Sequence, residues 1–185
     1  MGESIGSQRR KAAVAIAILA EPPHGIVFVE RGLHLRDHPG QIGLPGGSVD
    51  DEDGGDLART ALRELREEVG VAAERVRIVG RLREVSQRRN NFDVTAFVAI
   101  VQPGPFTIDG SETAGMFTIP LAVVLSEALT DGIVEYAGLT IPSLVLDYEN
   151  KRVWGLTAQI LRLFNESWRD EGGELRGAVE AALAS

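Results

Sequence analysis

Residues 47–71 read Gly47-Ser48-Val49-Asp50-Asp51-Glu52-Asp53-Gly54-Gly55-Asp56-Leu57-Ala58-Arg59-Thr60-Ala61-Leu62-Arg63-Glu64-Leu65-Arg66-Glu67-Glu68-Val69-Gly70-Val71. Leu57, Ala61, Leu62, Leu65 and Val69 recur at helical spacing on one face, and Gly70 supplies a C-cap, so the pattern predicts a helix over 57–69. On that helix Glu64, Glu67 and Glu68 stand at i, i+3 and i+4, and their carboxylates project together about a third of a turn from the apolar stripe. Such a helix can pack on a sheet and hold three carboxylates over a cleft. Like charges at this spacing cost about 0.2–0.5 kcal/mol per pair. A hard divalent cation with oxygen ligands would compensate them, and such ions commonly bridge carboxylates to substrate phosphates. The alternative is a solvated helix face on which Arg63 and Arg66 offset the glutamates.

The rest of the chain narrows the choice. With 185 residues, 44% of them hydrophobic and 25% charged, it has the size and composition of a single globular domain. There is no cysteine, which excludes disulfides, thiol nucleophiles and thiolate zinc sites. With histidines only at 24, 34 and 38, any metal ligands would be mostly oxygen, which suits Mg²⁺ or Mn²⁺. Acids outnumber bases 27 to 19, so the molecule as a whole repels nucleic acid, which is not expected as a partner. Arg9, Arg10 and Lys11 precede the apolar run Ala12 to Ala20 and imitate a secretory signal. The run is too short to cross a bilayer and lacks a small-residue cleavage site before Glu21-Pro22-Pro23. It reads as a core strand, and a cytoplasmic protein with no membrane partner is expected.

Along the chain, Ala12–Ala20 and Ile26–Val29 flank a turn and form a candidate strand pair. A polar loop then runs through Arg31, Arg36, His38 and Gly40 to Pro45-Gly46-Gly47. Beyond the helix, strand-like segments lie at about 75–85, 94–101 and more weakly 133–148, with a helix-like stretch near 120–129. Val153, Trp154, Leu156, Ile160, Leu161, Leu163, Phe164 and Trp168 suggest a packed helix from 153 to 168, and an Ala-rich stretch at 174–184 suggests a loosely attached one. No repeat or linker divides the chain, and the order of strands and helices points to a layered α/β fold.

With its approach segment, the carboxylate helix resembles the signature of the Nudix hydrolases: a glycine, an acid six positions on, then Arg-Glu-apolar-x-Glu-Glu-x-Gly-apolar. Gly47, Asp53, Arg63, Glu64, Leu65, Glu67, Glu68, Gly70 and Val71 fill those places. Asp53 stands where Glu is common, and Gly47 lies two residues further from Arg63 than the family pattern has it. That extra length falls in the loop between Glu52 and Asp56, where insertions are tolerated. The resemblance implies an α/β/α sandwich with a mixed central sheet over residues 1–185, with the box at 47–71 and a C-terminal helical segment at 153–184. It also implies that Arg63 pairs with an acid of the box, and that Glu64, Glu67 and Glu68, with Gly47, hold Mg²⁺ or Mn²⁺. The general base, whose position varies in the family, is either a box glutamate or a later acid.

Residues 27–47 are similar to the extra motif of the coenzyme A diphosphatases within that family. Arg31, Arg36, Gly40, Ile42, Leu44, Pro45, Gly46 and Gly47 match in register, with Gly32 in place of the usual Ser and Leu44 in place of Phe. Asp93-Val94-Thr95 and the segment from Val153 to Ala158 are similar too, and the resemblance spans about 11–165. Coenzyme A carries a diphosphate and a 3'-phosphate, which guanidinium groups bind in a planar fork. Arg31, Arg36, His38 and Arg89 are therefore candidate substrate contacts. A loop arginine can equally pair with Glu30 or Asp37.

Glu112 lies in a loop where many Nudix proteins place a glutamate, and it is read as a base, a further metal ligand or an ordinary salt-bridge partner. Arg75, Arg77, Arg81 and Arg83 alternate with apolar residues and read as a solvated strand face. Trp154 and Trp168 read as core residues of one helix. The expected activity is cleavage of coenzyme A or acyl-coenzyme A to 3',5'-ADP and 4'-phosphopantetheine or its acyl form. Another nucleoside diphosphate derivative, such as ADP-ribose or NADH, is the alternative substrate, and a non-catalytic nucleotide sensor is the alternative class. A homodimer is left open. Charge is segregated accordingly: eight acids and three bases in 47–71, against four acids and five bases in 1–46.

Overall fold

A computed structural model describes residues 9–36, 38–87, 91–108 and 110–185. The first apolar run is β1 (Arg10–Leu19), and the Pro22-Pro23 turn returns the chain as β2 (Gly25–Arg31). Two short strands, β3 (Ile42–Gly43) and β4 (Gly46–Ser48), precede α1 (Leu57–Val69). Then follow β5 (Val76–Arg81), β6 (Val85–Gln87), β7 (Phe92–Val101), β8 (Thr113–Pro120) and α2 (Leu121–Leu125). The chain closes with β9 (Leu129–Tyr136), β10 (Leu139–Tyr148), β11 (Lys151–Trp154), α3 (Gly155–Arg169) and α4 (Glu174–Leu183).

Among the described residues, eight strands form one mixed sheet along the path β3-β2-β1-β7-β5, with β8 on β2, β4 on β1 and β6 on β7. β1 and β7 run parallel, in register from Arg10 opposite Phe92 to Leu19 opposite Val101, and the other pairings are antiparallel. β9, β10 and β11 form a separate antiparallel sheet.

The central strand explains the layering. Ala13, Ala15 and Ala17 of β1 lie on the side of α1, where they meet Ala61, Leu65 and Val69, and their small size lets the helix approach closely. Ile16 and Ile18 point the other way, into the larger core with Ile160, Leu161 and Phe164 of α3 and Val179 and Ala182 of α4. A strand covered on both faces reads as a continuous apolar run, as 12–20 does. Each large side chain fully buried here contributes roughly 1.5–3 kcal/mol. The architecture is the expected α/β/α sandwich with a mixed central sheet.

Several element boundaries differ from the sequence reading. The 133–148 segment is a hairpin, broken where Ala137 and Gly138 take positive φ, and it belongs to the small sheet. Val153 and Trp154 pair with Leu146 and Val145 in β11, and the helix starts only at Gly155. Trp154 is therefore not in the helix that carries Trp168. The 120–129 helix shrinks to the five residues of α2. The 75–85 segment splits into β5 and β6, with a register shift between Ile78 and Gly80. Arg77 and Arg81 are exposed on β5 as expected, whereas Arg75 precedes the strand and donates to the carbonyls of Gln102 and Pro105. The terminal helix is docked rather than loose, since Val179 and Ala182 are buried. No helix among the described residues is long and apolar enough to cross a membrane.

Candidate active site

The site begins where β4 hands the chain to α1. Asp50 caps a single helical turn over Asp51–Asp53, and its backbone N–H donates to the Asp53 carboxylate at 2.8 Å. Asp56 then caps α1 by accepting from the Ala58 N–H, and Gly70 ends the helix in the left-handed conformation. Asp53 is buried. Besides the Asp50 N–H, it accepts from the Thr60 hydroxyl at 2.8 Å and from Arg63 Nε and Nη2, both at 3.1 Å. Arg63 holds its carboxyl down at about 2, with the Asp50 N–H and the Thr60 hydroxyl acting in the same direction. Asp53 thus performs, one methylene shorter, the pairing expected of a box acid.

Arg63 is the hub of the helix face. Besides Asp53 it donates to Glu64 Oε1 and Glu67 Oε2, each at 2.9 Å, and to the Ser48 carbonyl at 2.9 Å. Hydrogen bonds to Asp53, with Glu64 beside them, raise its pKa further above the ordinary arginine value. Gly47 lies directly under Glu64, and a Cβ there would strike the Glu64 carboxylate. That close approach is what the glycine permits. Gly46, at φ 159°, has its own Cβ position blocked by the Ala13 carbonyl and the Val14 backbone.

Glu68 is buried, and its Oε2 accepts the Gly46 N–H at 2.9 Å. Burial pushes its carboxyl up to about 8, and the negative charges of Glu64 and Glu112 add to that. The Gly46 N–H and the Arg31 guanidinium oppose it. Glu64 is raised as well, chiefly by burial, with Glu67 and Glu112 adding and Arg63 opposing. Buried carboxyls crowded by like charge are relieved by a cation.

These couplings place Arg31 and Glu112 beside the carboxylate face. Arg31 ends β2 on the side of Val27 and Val29, the side α1 covers, and pairs across the sheet with Thr113. Exposed Glu112 is fixed through its backbone, whose carbonyl accepts the Gly32 N–H at 2.8 Å. The imidazole Nε2 of His34 lies 2.8 Å from the Ser111 carbonyl, and a Cβ on Gly32 would collide with that ring. His34 was not among the sequence candidates, because nothing in the spacing links residue 34 to 111.

The other candidates spread outward. Arg36 is exposed on the loop, and the His38 ring stacks on Tyr136 with centroids 6.2 Å apart. Arg89 lies outside the described residues. A concavity of about 540 Å³ between β5 and the helices α3 and α4 lies on the opposite side of the sheet from the carboxylates and is lined by Arg81, Glu166, Asp170 and Glu174 among others.

Among the described residues, no group of three His, Cys, Asp or Glu side chains stands in ligating position around one point. Arg63 draws Glu64 and Glu67 to itself, and Gly46 holds Glu68. The donor set nonetheless suits a hard divalent ion: three carboxylates on one face, two of them raised by burial and mutual charge, and Glu67 exposed enough to turn.

The profile of the NUDIX domain family matches residues 9–132. The uncharacterized Nudix hydrolase NudL of Yersinia pestis (strain Pestoides F) is 37% identical over 155 residues, covering 83% of this chain and 77% of its own. The fold is similar to that of the NUDIX domain of Shewanella oneidensis NrtR, solved in complex with ADP ribose. The TM-score is 0.52 at 20% identity, over 68% of this chain and 81% of that one. It is also similar to that of a MutT/nudix family protein from Enterococcus faecalis, with TM-score 0.57 at 13% identity, over 97% of this chain and 70% of that one. Nudix hydrolases act on small nucleotide substrates and generally use divalent metals such as Mg²⁺ or Mn²⁺. The carboxylate helix, the mixed sheet that carries it and the match over two thirds of the sequence give one result: the chain belongs to the Nudix hydrolases.

Proposed function

We propose that this protein is a metal-dependent diphosphatase that cleaves coenzyme A or acyl-coenzyme A to 3',5'-ADP and 4'-phosphopantetheine or its acyl form. The observation that carries the reading is the position of Arg31. It belongs to the coenzyme A type motif and lies on the same side of the sheet as Glu68, close enough to bias its charge. A phosphate-binding guanidinium beside a metal-binding carboxylate face is what a diphosphate substrate requires.

In this reading Glu64, Glu67 and Glu68, with the Gly47 backbone, hold Mg²⁺ or Mn²⁺. A metal held there would supply positive charge for the phosphoryl chemistry and would lower the pKa of a nearby water. Arg63 keeps Glu64 and Glu67 aligned from one side, and Asp53 keeps Arg63 in place. Arg31 orients the diphosphate, and Arg36, at the outer part of the loop, meets the nucleotide's further phosphate. The water's proton goes to a box glutamate, Glu64 or Glu67, or to Glu112.

Product analysis with coenzyme A and each metal tests the assignment. Release of 3',5'-ADP is expected, while turnover of ADP-ribose or NADH with none of coenzyme A would reassign the substrate and spare the class. That second reading draws support from the Shewanella NUDIX domain, whose structure holds ADP ribose. Glu67→Gln separates hydrolase from sensor: hydrolysis should be abolished with the fold intact, and full residual activity would remove Glu67 from the mechanism.

A further inference from the structure

The family match ends at residue 132, inside β9, yet the elements that follow reach back to the arginine-bearing loop at two places. At its base, Lys151 Nζ lies 2.6 Å from Glu30 Oε2 and 5.3 Å from the centre of the Phe117 ring, which itself stacks on Phe28. At its outer part, His38 stacks on Tyr136, and Tyr136 packs on Trp154 with ring centres 5.2 Å apart. Between these points the loop is held at its foot by the Arg31 N–H to the Gln41 carbonyl and the Gly40 N–H to the Arg31 carbonyl.

Adjacent strand residues face opposite sides. Glu30 therefore faces the C-terminal sheet while Arg31 faces α1, and a grip on Glu30 from behind fixes what Arg31 presents in front. His38 lies on the same loop as Arg36, so its stacking on Tyr136 holds the outer part of that loop against the C-terminal sheet. A loop backbone held at its base and at its outer part has less freedom to lose on binding, and pre-ordering of this kind raises substrate affinity without touching the bond that breaks.

We infer that the C-terminal sheet is a clamp that sets the substrate-binding shape of the loop carrying Arg31 and Arg36, with Lys151 and Tyr136 as positioning residues. This rests on the reading above, in which those arginines hold substrate phosphates.

The test uses the full chain with Lys151→Met, Lys151→Arg, Tyr136→Leu and Tyr136→Phe, each checked for an unchanged circular dichroism spectrum. Two readouts are taken: amide hydrogen exchange of the β2–β3 loop against α1, and kcat and KM with Mg²⁺ across coenzyme A, acyl-coenzyme A, ADP-ribose and NADH. For Lys151→Met and Tyr136→Leu, faster exchange in the loop and not in α1 is expected, together with KM raised about five- to tenfold and kcat within about twofold. Lys151→Arg and Tyr136→Phe, which keep the charge and the ring, should restore both readouts. Unchanged loop exchange in both disruptive variants overturns the clamp, as does a fall in kcat at constant KM. If the unsubstituted protein cleaves none of the four compounds, the substrate reading fails and the exchange data alone decide the clamp.

Discussion

Arg63 answers the problem that three glutamates on one helical face create. It spreads one positive charge over Asp53, Glu64 and Glu67 and anchors itself on the Ser48 carbonyl. Replacing it with alanine strips a buried aspartate of its partner and leaves the glutamates to repel. Arg63→Ala should cost roughly 3 kcal/mol in urea unfolding, the lower end of what breaking a buried ion pair costs, because Glu67 is half in water. Activity should fall with it. Thr95 makes the opposite case. Its hydroxyl is fully buried in β7 and has no hydrogen-bond partner among the described residues. Thr95→Val, of nearly the same shape, should stabilise the protein by about 1 kcal/mol in the same experiment. A loss of stability would mean that an ordered water serves that oxygen.

At the scale of elements, the two adjoining glycines of β4 should respond differently. A Cβ on Gly47 meets only the tip of the Glu64 side chain, which can swing away, so Gly47→Ala should leave the melting temperature nearly unchanged and depress kcat. A Cβ on Gly46 meets the backbone of β1, so Gly46→Ala should destabilise by more than about 2 kcal/mol. The legibility of the sequence follows the same division between local and distant. The span of α1 was readable, because its apolar stripe, its Gly70 C-cap and its carboxylate spacing are all local, whereas the Asp56 N-cap went unread. Arg31 reads as a loop residue in the sequence, whereas the structure makes it the last residue of β2, and only the folded sheet brings α1 to its side and Glu112 next to it. Val153 and Trp154 misled because their apolar side chains continue the pattern of the helix that follows, but β10 claims both as strand and Gly155, at φ 65°, turns the chain into the helix. The Ala137-Gly138 turn carried a usable signal in its glycine. The Gly46 N–H to Glu68 bond and the His38–Tyr136 contact join residues too far apart in sequence for any spacing to show.

For the molecule as a whole, two aspartates control acid stability. Arg63 hydrogen bonds hold Asp53 at about 2, and Asp93 is held at about 2 by the Ser86 hydroxyl first, then by Arg9 and Lys11. Both lie below the ordinary aspartate value. Their contribution is therefore complete above about pH 4 and is lost as the pH falls through about 2. In the metal-free protein Glu68, raised to about 8, and Glu64, raised in the same direction, bind protons more readily folded than unfolded, so thermal midpoints should rise as the pH falls from about 8 toward 5, then drop steeply below about pH 4, and Asp53→Asn should flatten part of that drop. Divalent metal should act in the other direction. Saturating Mn²⁺ at a hundred times its Kd should add about 2.7 kcal/mol in calorimetry, an increment absent from a Glu64→Gln, Glu68→Gln double variant. The ten-residue parallel ladder of β1 and β7 has a consequence for how the protein is made. During synthesis β1 can fold back on β2 at once, but its other edge has no partner until residue 101 has been added. In that interval an apolar strand with an open edge is a template for pairing with other chains. Aggregation of unfinished or slowly refolding chains should start at residues 12–19, and the rate at which β7 arrives sets how long that risk lasts.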